Sequence, residues 1–254
     1  MMFAVPIAVL ALLGATAVRA APADPLGSPM WGTHAAWLFG EAPVVFDDKV
    51  RLDVPTITEN QREFPLTVDA RALGTVKRIV VLVDLNPIPL PLDYAVGRAE
   101  PFVALRIKLD QKTPVRAAAQ TADGTWHVTG KWVDAAGGGC SAPPASRVRG
   151  DWAQHLGELR GGAWRNGGTV RLRVAVRHPM DTGFVAGVPA YNLETLRLAD
   201  GSGREVATIA LQGAIAEDPA FTLLVPASVA GPYAVHLADT DGREFDGTLR
   251  LAAQ

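Results

Sequence analysis

The sequence predicts an all-β protein: two antiparallel β-sandwich domains joined by a Gly/Pro-rich linker, with one short N-terminal helix. Three observations predict it. Apolar residues recur with a period of two along most of the chain, as on half-buried strands. The 25 Gly and 19 Pro supply many turns. The strand-like runs are not separated by helical patterns long enough for the crossover of a βαβ unit.

Residues 1–20 read as an export leader. Residues 3–17 are almost wholly apolar, and Val18-Arg19-Ala20 places small residues at −3 and −1, so cleavage is expected after Ala20. The run is near or below the about 17–25 apolar residues that span a bilayer. No later stretch reaches that length, so the mature chain is expected to be periplasmic, without a membrane span. Next, Trp31, Ala35 and Leu38 share one face at helical spacing, with His34 and Trp37 beside them, and Gly40 ends the helix.

From residue 49 the period becomes two. Val50, Leu52 and Val54 alternate with polar residues and Pro, and so do Leu66, Val68 and Ala70. Residues 79–83 (Ile-Val-Val-Leu-Val) form an unbroken apolar run, as expected of a central strand. In residues 102–109, Val103, Leu105, Ile107 and Leu109 face inward against Ala104, Arg106 and Lys108. Strand-like residues 115–120 and 125–133 are joined by the hairpin signal Asp123-Gly124. Trp126 and Trp132, at an even offset, share one sheet face as packing residues.

Residues 135–146 (Ala-Ala-Gly-Gly-Gly-Cys-Ser-Ala-Pro-Pro-Ala-Ser) read as a linker between domains at 21–134 and 147–254. Beyond it Asn166-Gly167-Gly168 marks a turn, and residues 169–177 alternate without a fault. Further strands are expected near 193–198, 205–211, 220–225, 233–238 and 245–251, with hairpin turns at Asp200-Gly201 and Asp241-Gly242.

Composition narrows function. A net charge of −2 gives no field for phosphate backbones, which argues against nucleic acid as a partner. A single cysteine excludes an internal disulfide, a Cys-based zinc cage and a CxxC redox pair. That cysteine, Cys140, follows Gly137, Gly138 and Gly139 outside any periodic pattern, so it is expected to be an exposed thiol on a flexible arm. A nucleophile on such an arm lacks the ordered geometry of a cysteine hydrolase. What remains is an attachment point for a group held through an S–S link, loaded and released by thiolate exchange. His155 is the nearest downstream histidine, and Arg147 and Arg149 favour a thiolate if they fold back. The five histidines show no ligand spacing, and neither a metal nor a cofactor is expected. Asp47-Asp48 and Glu217-Asp218 read as solvated turns. His178-Pro179-Met180-Asp181-Thr182-Gly183 reads as a capped turn, with a sulfur-facing or interface loop as the alternative.

These residues carry a resemblance. Leu38-Phe39-Gly40, Val50-Arg51-Leu52-Asp53-Val54-Pro55, Asn86-Pro87-Ile88-Pro89, Arg106-Ile107-Lys108-Leu109 and Gly-Gly-Cys140 resemble SoxY, the sulfur-carrying subunit of the bacterial thiosulfate-oxidising system. Val174 to Arg177 with the following HPMDTG motif, Tyr191-Asn192 and Gly231-Pro232-Tyr233 resemble SoxZ. The whole is similar to the SoxYZ-like carriers associated with quinoprotein dehydrogenases. The resemblance implies immunoglobulin-like sandwiches packed together, a non-catalytic role, and Cys140 as the covalent sulfur attachment point with Gly137, Gly138 and Gly139 as its arm. It implies partners among periplasmic sulfur-oxidation enzymes, or a quinoprotein dehydrogenase that the protein helps assemble. One departure stands out. The SoxY arm ends the chain as Gly-Gly-Cys-Gly-Gly, whereas Ser141-Ala142-Pro143-Pro144 and a whole domain follow here, so the cysteine must present as a loop.

Overall fold

Alternating side chains become strands over nearly the whole computed structural model, which describes residues 22–252. The expected leader 1–20 and its cleavage point lie outside the described residues. Helix α1 (Trp31–Phe39) leads into β1 (Val44–Phe46), β2 (Arg51–Asp53), β3 (Phe64–Asp69), β4 (Val76–Val83), β5 (Leu92–Ala95), β6 (Phe102–Ile107), β7 (Thr113–Thr121) and β8 (Trp126–Val133). Two short helices follow, α2 (Ala145–Arg149) and α3 (Trp152–His155). The second half holds β9 (Leu159–Asn166), β10 (Thr169–Val176), β11 (Leu193–Ala199), β12 (Glu205–Leu211), β13 (Ala220–Pro226), β14 (Tyr233–Asp239) and β15 (Glu244–Leu249).

The strands build two sheets, and each sheet runs through both halves of the chain. One has nine strands in the order β1-β8-β7-β4-β5-β12-β11-β14-β15; the other has six, β2-β3-β6-β13-β10-β9. The halves meet where β5 pairs with β12, from Leu92↔Leu211 to Ala95↔Thr208, and where β6 pairs with β13 at Val103↔Leu223 and Ala104↔Thr222. Both junctions are antiparallel; the β1–β8 pair is parallel, an exception to the expected pattern. The all-β class is therefore what the structure shows. Side-chain alternation alone does not reveal that the two halves share their sheets.

One core fills the space between the sheets and draws on both halves, from Phe64, Ile79 and Ile107 to Leu172, Phe221 and Leu237. A smaller core lies on the other face of the nine-stranded sheet, where Trp31, Ala35 and Phe39 of α1 cover Val80, Ala118, Trp126 and Val128. Covering β4 on both faces explains its unbroken apolar run. The buried stripe of α1 includes His34 and Phe39, whereas Trp37 points outward and is 58% exposed. Trp126 packs against Phe39, and the Trp132 indole N–H donates to the Leu26 carbonyl at 2.8 Å. Beneath α1 the buried Arg116 pairs with Asp84 and Asp24 and lies 4.5 Å from the Trp31 ring.

Candidate functional site

The segment expected to be a flexible linker is packed across the seam between the halves. Cys140 is 1% exposed, which corrects the expectation of an exposed thiol. The physical reason lies in the glycines: without side chains, the backbone itself lies against another backbone. A β-carbon on Gly139 would sit 2.3 Å from both the Gln61 and Leu109 carbonyl oxygens. Gly137 and Gly138 take φ of 103° and 83°, a region open to glycine, and turn the chain into that groove. The arm needs no side chains of its own to bury the thiol, because both halves supply the walls.

Each wall is built by a strand end. On the first, Gly138 N–H donates to Asp110 O, Gly139 N–H to Leu109 O at 3.1 Å, and Cys140 N–H to Asp110 Oδ1 at 3.0 Å. These acceptors follow directly after β6. Buried Asn86 ties the same stretch together, donating to Lys108 O at 2.7 Å and accepting from Asp110 N–H, with Nδ2 3.9 Å from Cys140 Sγ. On the second wall, Thr182 Oγ1 donates to Cys140 O at 2.5 Å. The HPMDTG stretch therefore does two things. It is a self-capped turn, with Met180 N–H donating to His178 Nδ1, and its threonine holds the cysteine segment.

Past the cysteine the chain is pinned again. Glu217 accepts from the first N–H groups of α2, Ala145 and Ser146, at 2.6 Å each. Arg147 pairs with buried Asp181 and stacks 3.8 Å from the Trp152 ring. Glu217 and Asp218 are thus half-buried structural anchors rather than a solvated turn, Asp218 pairing with Arg177. Asp47 pairs with His127, and Asp48 is exposed.

Lys108 spans the seam. Alternation placed it among the outward residues, yet it is 4% exposed, because β6 ends at Ile107 and that end of the strand meets the other half. Its ammonium donates to Met180 O and to Gly213 O. Burial pulls Lys108 down to about 8, partly offset by Cys140, Asp181 and Glu217. Burial pushes the Cys140 thiol up to about 12; Asp110 adds to the rise and Lys108 opposes it. The closed thiol is therefore protonated at neutral pH and unreactive. The side chains foreseen beside it are engaged elsewhere: Arg147 with Asp181, Arg149 with Asp151, and the His155 ring with Glu158. Deeper in the second half, His178 Nε2 is buried without a hydrogen-bond partner among the described residues, 3.7 Å from Asp239 Oδ2, and burial lowers its pKa to about 4.

Asn86, Lys108, Asp110 and Thr182 are the site residues that reasoning from alternation and spacing did not assign. Three of them nevertheless lie in the stretches that carried the resemblance, Asn86-Pro87, Arg106 to Leu109 and HPMDTG. No group of three or more metal-ligating side chains occurs among the described residues. Among them no helix is long and apolar enough to cross a membrane.

The fold and site thus define a two-sheet all-β protein that clamps one glycine-strapped thiol between its halves. Residues 35–140 match the family model of the sulfur oxidation protein SoxY, and residues 160–250 that of the sulfur oxidation protein SoxZ. The chain therefore joins a SoxY domain to a SoxZ domain and is a SoxY–SoxZ fusion. It is also similar to the solved structure of the sulfur carrier protein SoxY from Chlorobium limicola f thiosulfatophilum: 22% identity, 41% of this chain and 93% of that one covered, TM-score 0.37. No curated protein matches it.

Proposed function

We propose that this chain is a periplasmic, non-catalytic carrier that holds a sulfur-containing intermediate covalently on Cys140 and presents it to partner sulfur-oxidation enzymes. The observation that carries the reading is the position of Cys140. It is the last residue of the SoxY match, and the SoxZ signature loop grips its carbonyl. Loading requires a thiolate and an open path, and the closed state offers neither. The arm must therefore leave the seam. Its hydrogen bonds to Asp110, Leu109 and Thr182 each contribute about 0.5–1.5 kcal/mol net, so opening costs a few kcal/mol and is thermally accessible.

Intact-protein mass spectrometry on the chain purified from the periplasm, before and after reductant, tests the reading. The expected result is a reductant-labile added mass confined to the Cys140 peptide and lost in Cys140→Ser. An unmodified mass throughout sulfur-dependent growth, with a fully functional Cys140→Ser variant, overturns it. The buried, protonated thiol also suits a second reading, an assembly module for a quinoprotein dehydrogenase in which the thiol only packs. Native capture of such a dehydrogenase that persists in Cys140→Ser would favour that reading.

A further inference from the structure

An ammonium has three N–H donors, and that of Lys108 meets two acceptors among the described residues, both carbonyl oxygens. No carboxylate accepts from it there, although burying a charge without an ionic partner is costly. The same segments hold Cys140. Lys108 O is bound by the Asn86 amide that reaches to within 3.9 Å of Sγ. Leu109 and Asp110, the next two residues, hold Gly139 and Cys140. Met180, which accepts from the ammonium, lies two residues before Thr182, which holds the Cys140 carbonyl. Ammonium and sulfur are thus buried in one seam and held by the same short segments, Lys108 to Asp110 and Met180 to Thr182.

We propose that Lys108 is the counter-charge for an anionic group carried on Cys140, making it a positioning residue that retains negatively charged cargo in the closed seam. The inference rests on the carrier reading and adds the residue that holds the charge of the carried group. The empty thiol is neutral and gives Lys108 no partner. A terminal sulfonate or persulfide on the sulfur brings a negative charge and completes the pair. The other charges nearby do not replace it. Asp181 is paired with Arg147, and Glu217 is committed to α2. Asp110 opposes the effect, but it is only half-buried and its Oδ1 is taken by Cys140 N–H and Ser141 Oγ.

The test compares two cargoes on the full chain. With tetrathionate the Cys140 thiolate displaces thiosulfate and leaves Cys–S–S–SO3⁻. With methyl methanethiosulfonate it displaces methanesulfinate and leaves a neutral methyl disulfide. Loading is read by intact mass, and release by a phosphine reductant is followed with time. Lys108→Met is expected to speed release of the anionic cargo about tenfold, and of the neutral cargo by less than about twofold. Lys108→Arg, which keeps the charge, should restore retention of the anionic cargo. Equal acceleration of both cargoes would assign Lys108 to packing alone and overturn the proposal, as would unchanged release of the anionic one. Failure of Cys140 to accept either reagent overturns the carrier reading itself, an outcome distinct from efficient loading without discrimination.

Discussion

A methyl group at Gly139 has nowhere to go, because its carbon would press on two carbonyl oxygens at 2.3 Å. Gly139→Ala should therefore push the arm out of the seam while leaving both sheets intact. Alkylation of Cys140 by iodoacetamide is expected to rise at least about tenfold at neutral pH, since reactivity follows thiolate fraction and access. The pH dependence has a defined sign. Cys140 is held protonated up to about 12, above its ordinary 9.0, so closure is undisturbed below about pH 9 and weakens as pH climbs toward 12. The alanine variant should instead titrate near the ordinary value. An alkylation rate and profile equal to wild type would show that the groove tolerates a side chain. At this scale the sequence singled out Cys140, and its burial was not legible. Three glycines read as freedom from walls, when their smallness is what lets foreign walls close in. Lys108 was hidden in the same way. A period of two assigns it to the solvent face of its strand, and only the other half of the chain covers that face.

The strands legible in the sequence were those with long alternation and clean turns, such as β10 after Asn166-Gly167-Gly168 and the β7–β8 hairpin around Asp123-Gly124. The elements missed are short or atypical. β1 has three residues and β5 four, while β9 carries Gly161 and Gly162 where apolar side chains would signal a strand. Gly161 is needed there because a β-carbon would lie 2.0 Å from Arg173 O on the neighbouring strand. Helix α2, with five residues beside two prolines, has too little length for a periodic signal. It depends on tertiary anchors, chiefly the Glu217 carboxylate on its first N–H groups and Arg147 on Asp181. Glu217→Ala removes two charge-assisted hydrogen bonds and should cost about 1–3 kcal/mol locally. Hydrogen exchange at residues 145–150 should then accelerate by about tenfold or more, with little change in β10 or β13. Protection that stays at wild-type levels would mean that the Arg147–Asp181 pair holds the helix unaided.

At the scale of the whole molecule, the connection through residues 141–150 is not what joins the halves. The β5–β12 and β6–β13 pairings make both sheets continuous, and Leu92, Tyr94, Ile209 and Leu211 are buried at the first of these junctions. The sequence could not show this, because alternation identifies which face of a strand is buried but not which strand lies beside it. The seam around Cys140 follows from the same arrangement, since it exists only while the SoxY-like and SoxZ-like halves stay paired. Cutting the chain at a protease site inserted between Pro143 and Pro144 separates these effects. The two fragments should still elute together, because main-chain ladders and a shared core outlast loss of the tether. Unfolding should remain one cooperative transition at a lower midpoint, since the cut makes association depend on concentration. Cys140 would then lie close to a free end, and its alkylation should rise toward that of an exposed thiol, because Asp110 and Thr182 would hold the arm without help from α2. Fragments that separate on the column would show that the tether, rather than the shared sheets, holds the halves together. Fragments that stay joined around a still-protected thiol would instead show that Asp110, Leu109 and Thr182 hold the arm without help from α2.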